Sequence, residues 1–582
     1  MNHYRHIRLL TRTVVALCIL TIPHLVSAAW PPEGRPVCTA SSSQTHSVIA
    51  TDGADGAIIA WMDARFPRVN IFARHVLASG EVDGAWPVDG RALLNDPAAM
   101  NNADGGQFNP EIVSDGAGGA IVIWQDLRSA VTETDLFAQH ILSTGVVDPT
   151  WPANGTALST ALHVQNTHVM VSDGAGGAIV TWVDNRVAAN EFDIYAQHVL
   201  ASGFVDPRWP ANGLAVCTPP GAQGFPAIVE DGLGGALITW HDARVGSLGF
   251  DVYAQHVLNA GITDPAWPVN GRAICIFHGD QGRVTIASDG AHGAVIAWGD
   301  SRVNDTSHIF AQHVFGSGAI DPAWPLNGRG ISNAAFLETR ARAISDGAGG
   351  AIVTWQGFDT ELNIFAQHVK STGVVDPLWP AAGKALSNAD RQQSIQELVA
   401  DGAGGAIIAW VDSVDVVAQH VLASGAFDAA YPATGRSIVN AANKQGDIAM
   451  VATSAAGAIV SWTDGRNALS PDIYALQVKE AGTGPTGVGT PAMSGINVNA
   501  FPNPFSGSTR ISFNSTGNGP VEVRIYDVSG RPVRSFATRG ENSYDIQWDG
   551  RTGGGNTAPS GVYFCRVSTP AGQGVRRIVL VR

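Results

Sequence analysis

Apolar and polar positions alternate along most of this chain in a block that recurs eight times. One copy reads SDGAGGAIVTWVDNR, then a variable stretch, then DIYAQHVLASGFVDPRWP and ANGLAVC. Each block carries four strand signals. The first ends near an Asp, as in PEIVSD. A turn DGAGG follows, whose glycines supply the positive φ of a tight hairpin. The second strand is AIVIW, and the third is DLFAQHIL, rich in β-branched and aromatic residues. The segment STG…DPTWP then leads to a short fourth strand, GTALS.

A head Trp recurs at 61, 124, 182, 240, 298, 355, 410 and 462. A tail aromatic before Pro recurs at Trp86, Trp151, Trp209, Trp267, Trp324, Trp379 and Tyr431. Four short strands per repeat of this length predict a propeller blade. The two ends sharpen the prediction. The last head, Trp462, runs on to DIYALQV and has no tail; Trp30-Pro31 through Val37-Cys38 is a tail with no head. Heads and tails match only if the chain closes on itself, which removes two sheet edges. The sequence thus predicts an all-β chain: an eight-bladed β-propeller over residues 30–479, closed by its N-terminal strand.

The flanks read differently. Arg5, Arg8 and Arg12 precede an apolar run from Thr13 to Val26 and the small residues Ser27-Ala28-Ala29. That is the pattern of a signal peptide over 1–29. No later stretch is apolar enough to span a bilayer, so no integral membrane segment is expected after cleavage. Residues 480–494, EAGTGPTGVGTPAMS, read as a linker. Residues 495–582 lose the repeat but keep period-two alternation, as in Val521, Val523 and Ile525. They predict a second, β-sandwich domain.

Composition narrows the function. The net charge of −15 argues against a nucleic-acid partner. Six repeats carry Trp-x-Asp-x-Arg: Asp63/Arg65, Asp126/Arg128, Asp184/Arg186, Asp242/Arg244, Asp300/Arg302 and Asp464/Arg466. Residues two apart share a strand face, so these read as one structural ion pair per blade. Each pair is expected at the exit of the second strand, acting within its own blade. His75, His140, His198, His256, His313, His368 and His420 fall one per blade, too far apart to share a metal. The glycine turn offers one Asp where a calcium loop needs several oxygens. Neither a metal nor a cofactor is expected. The tail Trp-Pro reads as a plug beneath the fourth strand, and Cys38, Cys217 and Cys275 as small buried apolar residues.

The connections between second and third strands, and between one blade and the next, vary sharply. Binding tends to sit on such loops. One of them is VAANEF, directly after Arg186. The first strands should line a channel, placing Val48, Glu111, Val169, Ala227, Thr285, Arg342 and Glu397 at one level. His46, Asn109, Thr167, Phe225, Arg283, Arg340 and Ile395 come two positions earlier. Of these, Glu111, Arg283, Arg340, Arg342 and Glu397 are the candidate binding residues, the arginines as an anion-attracting patch. No catalytic motif is present.

FPNPFSGSTRISF, VRIYDVSGRPVRSF, WDG, APSGVYFCRV and VRRIVLVR together resemble the Ig-like C-terminal domain of secreted bacterial proteins. The segment is similar to type IX secretion sorting domains and to the FlgD-like Ig-like domain of the flagellar hook-capping protein. The repeats resemble DGxGGAIVxWxDxR proteins that precede such tails. The resemblance implies delivery by the outer-membrane export machinery, secreted or onto the surface of a Gram-negative-type bacterium. The expected function is non-catalytic binding or adhesion to a surface glycan or protein ligand. The alternative is a carbohydrate-active hydrolase or lyase with a site on the variable-loop face.

Overall fold

The structure is a computed structural model. It describes residues 30–478 and 498–581, apart from 95–104, 130, 189–190, 247–248, 304–305, 360, 388, 390, 440, 442, 455–456, 468–469, 502–504, 506, 515–519, 528–531, 540–542 and 570–571. The signal peptide and the linker lie outside the described residues. The chain separates into two compact units, residues 1–482 and 483–582. Every regular element among the described residues is a strand.

The first unit is a succession of small antiparallel sheets. Sheet 1 spans 44–92, sheet 2 107–159, sheet 3 165–217 and sheet 4 223–275. Sheet 5 spans 281–330, sheet 6 337–385 and sheet 7 393–439. Sheet 8 joins 445–478 to the N-terminal strand Arg35–Cys38. Sheet 2 shows the pattern, with Gln107–Ser114, Ala120–Asp126, Asp135–Ile141 and Thr156–Ser159 in sequence order. Sheet 4 adds a short extra strand, Ile262–Thr263. The second strand of each sheet is almost wholly buried, and in Ala120–Asp126 every residue is. Apolar neighbours on both faces explain its unbroken Ala-Ile-Val-Ile-Trp run.

In two sheets the second strand runs past its Asp. Sheet 3 extends it over Ala178–Ala188, and sheet 5 over Ala294–Val303. Arg186 and Arg302 therefore lie inside a strand, where the sequence reading had put them at its exit. The next strand of sheet 3 begins at Glu191, and Ala188 pairs with that residue. Most of the expected VAANEF loop is thus hairpin, because Val187 and Phe192 carry the β-branched and aromatic side chains that favour pairing.

The first strand of each sheet packs beside the first strands of its two neighbours, and that of sheet 8 packs against that of sheet 1, so these contacts form a closed cycle. At the seam, Arg35 pairs with Ala475 and Cys38 with Ile473. Arg35 also reaches across to sheet 1, 2.6 Å from the Glu81 carboxylate. Ser454 donates from its amide and its hydroxyl to the Asp55 carboxylate, at 2.6 and 2.7 Å. Asp55 stands where most of the turns carry the second Gly of DGxG.

The second unit holds a three-stranded sheet (Val498–Phe501, Thr509–Asn514, Ser543–Trp548) and a four-stranded one (Pro532–Arg539, Pro520–Asp527, Gly561–Thr569, Gly572–Leu580). Both contribute to one core around Phe505, Ile511, Val523, Trp548, Tyr563 and Ile578. The strand at 498–501 has no counterpart in the sequence reading, because it is short and borders Pro502.

Candidate functional site

The repeated polar residues form clamps. In sheet 2, Asp126 is 2% exposed. It accepts hydrogen bonds from Trp124 Nε1 at 2.8 Å, from the Arg128 amide at 2.9 Å and from Arg128 Nε at 2.7 Å. The guanidinium lies 3.9 Å above the Phe137 ring and donates to the Asn154 carbonyl. The same arrangement recurs at Asp63/Arg65, Asp184/Arg186, Asp242/Arg244, Asp300/Arg302 and Asp464/Arg466.

One part of the expectation for these pairs needs correction: four of the six do not act within one sheet alone. Arg186 shows this. Its guanidinium holds Asp184, donates to the Asn212 carbonyl of its own sheet at 2.7 Å, and lies 3.9 Å above the Tyr195 ring. It also reaches back to the hydroxyl of Ser159, in the fourth strand of sheet 2, at 3.3 Å. Arg65, Arg244 and Arg302 make the same backward contact, 3.1, 2.9 and 3.0 Å from the thiols of Cys38, Cys217 and Cys275. The reason is reach: a guanidinium presents five donors in a rigid fork, and a single carboxylate cannot take them all. Ser159 of sheet 2 thus stands in for the Cys at the end of the fourth strand, and the clamp is a joint between sheets. The cysteines are therefore more than apolar filler. Burial pushes the Cys38 thiol up to about 12, so it stays protonated.

The strand histidines have partners that spacing did not reveal. His140 Nδ1 meets Asp148 at 2.8 Å and Nε2 meets Asp115 at 2.9 Å. Asp115 also accepts from the Ala117 and Gly119 amides, which ties the DGAGG turn to the strand. Seven sheets repeat this Asp–His–Asp bridge. Burial opposes charge on His75, His140, His256 and His368, but hydrogen bonds to both carboxylates outweigh it and raise these pKa values. In sheet 8 all of it is replaced at once, with Thr453 and Gln477 at the first Asp and His positions.

The tail Trp packs with the fourth strand of its own sheet, as Trp151 does with Leu158, and is also an inter-sheet staple. Trp86 is 3% exposed and donates from Nε1 to the Ser143 carbonyl of sheet 2. It packs on Gly145, where an added Cβ would stand 2.7 Å from the indole at φ +75°. Only Gly fits such a left-handed contact. Trp30 makes the equivalent contact with Gly80 of sheet 1.

The inner strands carry the variation. Each first strand has a β-bulge at one position, between Phe108 and Glu111 in sheet 2 and at its equivalents. In seven sheets a residue there takes a left-handed conformation although it is not Gly: His46, Asn109, Thr167, Phe225, Arg283, Arg340 and Asp447 have φ of 46–55°. The alternation reading had assumed an unbroken strand here. A bulge re-aims its side chain and breaks that alternation. Left-handed β-branched or bulky residues are strained, and such strain gathers at functional sites.

Two cavities open beside these bulges. One of about 430 Å³ is lined by Thr167, Phe225, Arg283, Arg340, Arg342 and Gln396, among others. A second, of about 400 Å³, is lined by Asn109, Glu111, Gln125, Asn166, Thr167 and His168. The structure thus brings Arg283, Arg340 and Arg342 to one cavity and puts Glu111 in the other. Arg342 donates to Glu397 at 2.9 Å. Glu111 is surrounded by protein though water reaches it. Burial, then the Glu397 charge, push its pKa up to about 7 against the pull of Arg342. Two further histidines went unnoticed in the sequence. His168 is buried beside Glu111 and is pushed down to about 4 by burial. His241 lies between Phe225, edge-on at 5.0 Å between ring centroids, and Phe250, tilted at 4.5 Å, and is likewise lowered to about 4 by burial. Neither belongs to the repeat pattern, so nothing in the spacing marked them.

No group of three or more His, Cys, Asp or Glu residues suited to a metal ion occurs among the described residues. No helix among them is long and apolar enough to cross a membrane.

Residues 499–581 match the family of the secretion system C-terminal sorting domain. No curated protein matches the chain. Among solved structures, it is similar to the BP39L lectin from Burkholderia pseudomallei at 12% identity, covering 68% of this chain and 99% of that one, with a TM-score of 0.41. Prolyl oligopeptidase B from Galerina marginata matches at 8% identity over 72% of this chain and 55% of its own, also at 0.41. PorZ, a surface component of the type IX secretion system of Porphyromonas gingivalis, matches at 13% over 94% and 82%, with a TM-score of 0.19. Scores this low leave the function to be argued from the residues. The sorting-domain match marks the chain as a secreted or cell-surface protein handled by the type IX export machinery.

Proposed function

We propose that this is a non-catalytic binding or adhesion protein, an eight-bladed propeller over 30–479 that captures a surface glycan or protein ligand at its bulged mouth. The signal peptide (1–29) and an Ig-like sorting domain (495–582), joined through the linker 480–494, deliver it. The cycle of first-strand contacts and the seam at Arg35–Cys38 support the propeller reading. Tyr563, whose hydroxyl donates to the Pro559 carbonyl at 2.7 Å, supports the Ig-like reading, since tyrosine corners bond back to upstream backbone in this way.

One observation carries the binding reading. The bulge residues are strained, mostly exposed and varied from sheet to sheet, while the frame around them repeats. A frame with no ligand has no use for that strain. Arg283, Arg340 and Arg342 favour an anionic group on the ligand, and Phe225, 58% exposed, offers it a flat apolar face.

The hydrolase or lyase reading has one observation in its favour. Glu111 is held partly protonated near neutrality while Glu397 is ion-paired, a division of roles that acid–base chemistry on sugars requires. A glycan array followed by product analysis on each hit separates the two. Bound but unchanged glycan supports capture. Cleavage that Glu111→Gln abolishes supports the enzyme. An array of glycans and surface proteins without a hit that depends on Phe225 or Arg283 defeats the mouth as the site.

A further inference from the structure

Six sheets seat an arginine guanidinium between a buried carboxylate and an aromatic ring, with Cζ 3.8–4.2 Å from the ring centroid. Sheets 6 and 7 lack that arginine and treat the space differently. In sheet 6, Gly357 replaces the Asp, and Phe336 fills the gap against Phe365 at 5.2 Å between centroids. In sheet 7 the carboxylate remains as Asp412, but none of the described residues takes the arginine's place against it. The connection there is only Ser413 and Val414, since Asp412 already pairs with Asp415. Val414 stands at the arginine position and Val417 where the clamped sheets have Phe or Tyr.

A cavity of about 360 Å³ results, lined by Arg391, Asp412, Asp415, Val417, Thr434 and Ser437, among others. Its polar groups are incomplete. Asp412 is 5% exposed, and its Oδ1 has no hydrogen-bond partner among the described residues. Trp410 is fully buried, and its Nε1 also lacks one. In the six clamped sheets that indole donates to the Asp at 2.7–2.9 Å. Arg391 comes only to 4.0 Å from Asp415 and is itself 56% exposed. Burial pushes both Asp412 and Asp415 upward, and Arg391 only partly offsets this. A buried carboxylate without a partner is costly, and a cation relieves it.

The geometry points to sheet 7 as a receptor for an arginine side chain from another polypeptide segment, whose guanidinium completes with Asp412 the clamp that six sheets complete internally. A guanidinium suits it better than an ammonium. Its planar fork spans both carboxylate oxygens, and it sheds water more readily. Seating it draws Asp412 into the clamp geometry and returns an acceptor to Trp410. The valine shelf forgoes the cation–π contact, so the affinity is modest.

The test is calorimetry on the whole chain with capped Gly-Arg-Gly, its Gly-Lys-Gly counterpart and methylguanidinium. We expect saturable binding of the arginine peptide, at least about tenfold tighter than the lysine peptide. Asp412→Asn and Val414→Arg should each abolish it, the second by filling the site from within and raising the melting temperature. Arg391→Gln should leave it intact or tighter. No binding to wild type, binding only after Arg391 is removed, or binding that survives Val414→Arg would each overturn the proposal. So would methylguanidinium binding without peptide binding. Because Val414→Arg mimics the intact clamps, it tests the site even if Asp412→Asn fails to fold.

Discussion

Asp126 and Asn109 sit on neighbouring strands of sheet 2, Asp126 paired with Gln107 two residues before Asn109, and face opposite demands. Asp126 is buried, and donors from its own Trp and Arg occupy both its oxygens. Asn109 is exposed, left-handed, and differs from its equivalent in every other sheet. The frame repeats because each copy must meet the same geometry: a turn amide, an indole and a guanidinium at fixed distances. The mouth varies because its side chains meet the second strand at a residue that itself varies, as Asn109 meets Gln125 at 2.7 Å and Phe225 meets His241. Repetition inside one chain therefore separates residues that hold the frame from residues it leaves free to vary.

The largest effect should come from opening the frame at its seam. Deleting residues 30–40 removes the strand that pairs with Asp472–Val478, the buried Val37 and Cys38, and the Trp30 staple. The loss should be on the order of 5 kcal/mol and should destabilise the whole first unit, since burial there is apolar and extensive. Differential scanning calorimetry checks this: one lowered transition agrees, and local fraying with an unchanged main transition does not.

Asp126→Ala comes next. It leaves the buried Trp124 indole and the part-buried Arg128 guanidinium without their acceptor, at about 3 kcal/mol. Urea denaturation of Asp126→Ala beside Asn109→Ala breaks the comparison if the two variants lose equal stability.

The histidine bridges set a pH signature of intermediate size. The raised His75, His140, His256 and His368 stabilise the fold fully below the unfolded imidazole pKa of about 6.5, and lose that contribution as pH rises through the higher folded values. The lowered Asp52, Asp115, Asp231 and Asp346 stabilise it above about 3.9, and lose that as pH falls through their folded values. The bridges' own share, read as the melting-temperature difference between wild type and His140→Gln, should therefore be largest between about pH 4 and 6.5 and shrink above neutrality. A difference that instead grows from about pH 6 to 8 contradicts the bridges as drawn.

The frame was legible in the sequence where contacts are short in range. Asp126 ends its strand and Arg128 follows two residues later, so their pairing follows from proximity along the chain. The backward contact of Arg186 was not legible, since Ser159 precedes it by twenty-seven residues and belongs to another sheet. Nor was the Asp–His–Asp bridge. Asp148 comes eight residues after His140 and Asp115 twenty-five before it, across two turns whose fold periodicity cannot specify. The bulges were hidden for a different reason. A left-handed position is normally read from Gly, and here Thr167, Phe225 and Arg283 occupy it. The empty clamp at Asp412 became visible only when the filled ones supplied its template.

The smallest expected effect on stability has the most direct bearing on the account. In a triple variant, Thr167→Gly, Phe225→Gly and Arg283→Gly, glycine relieves three left-handed positions while the clamps stay untouched. Chemical denaturation and ligand capture should be measured on the same preparation. Unfolding free energy should hold or rise by roughly 1 kcal/mol, since relief of backbone strain exceeds the added chain entropy, while capture of any ligand found for the mouth falls at least about tenfold. A variant that loses stability yet still captures ligand would mean that the bulged residues belong to the frame and that the site lies elsewhere.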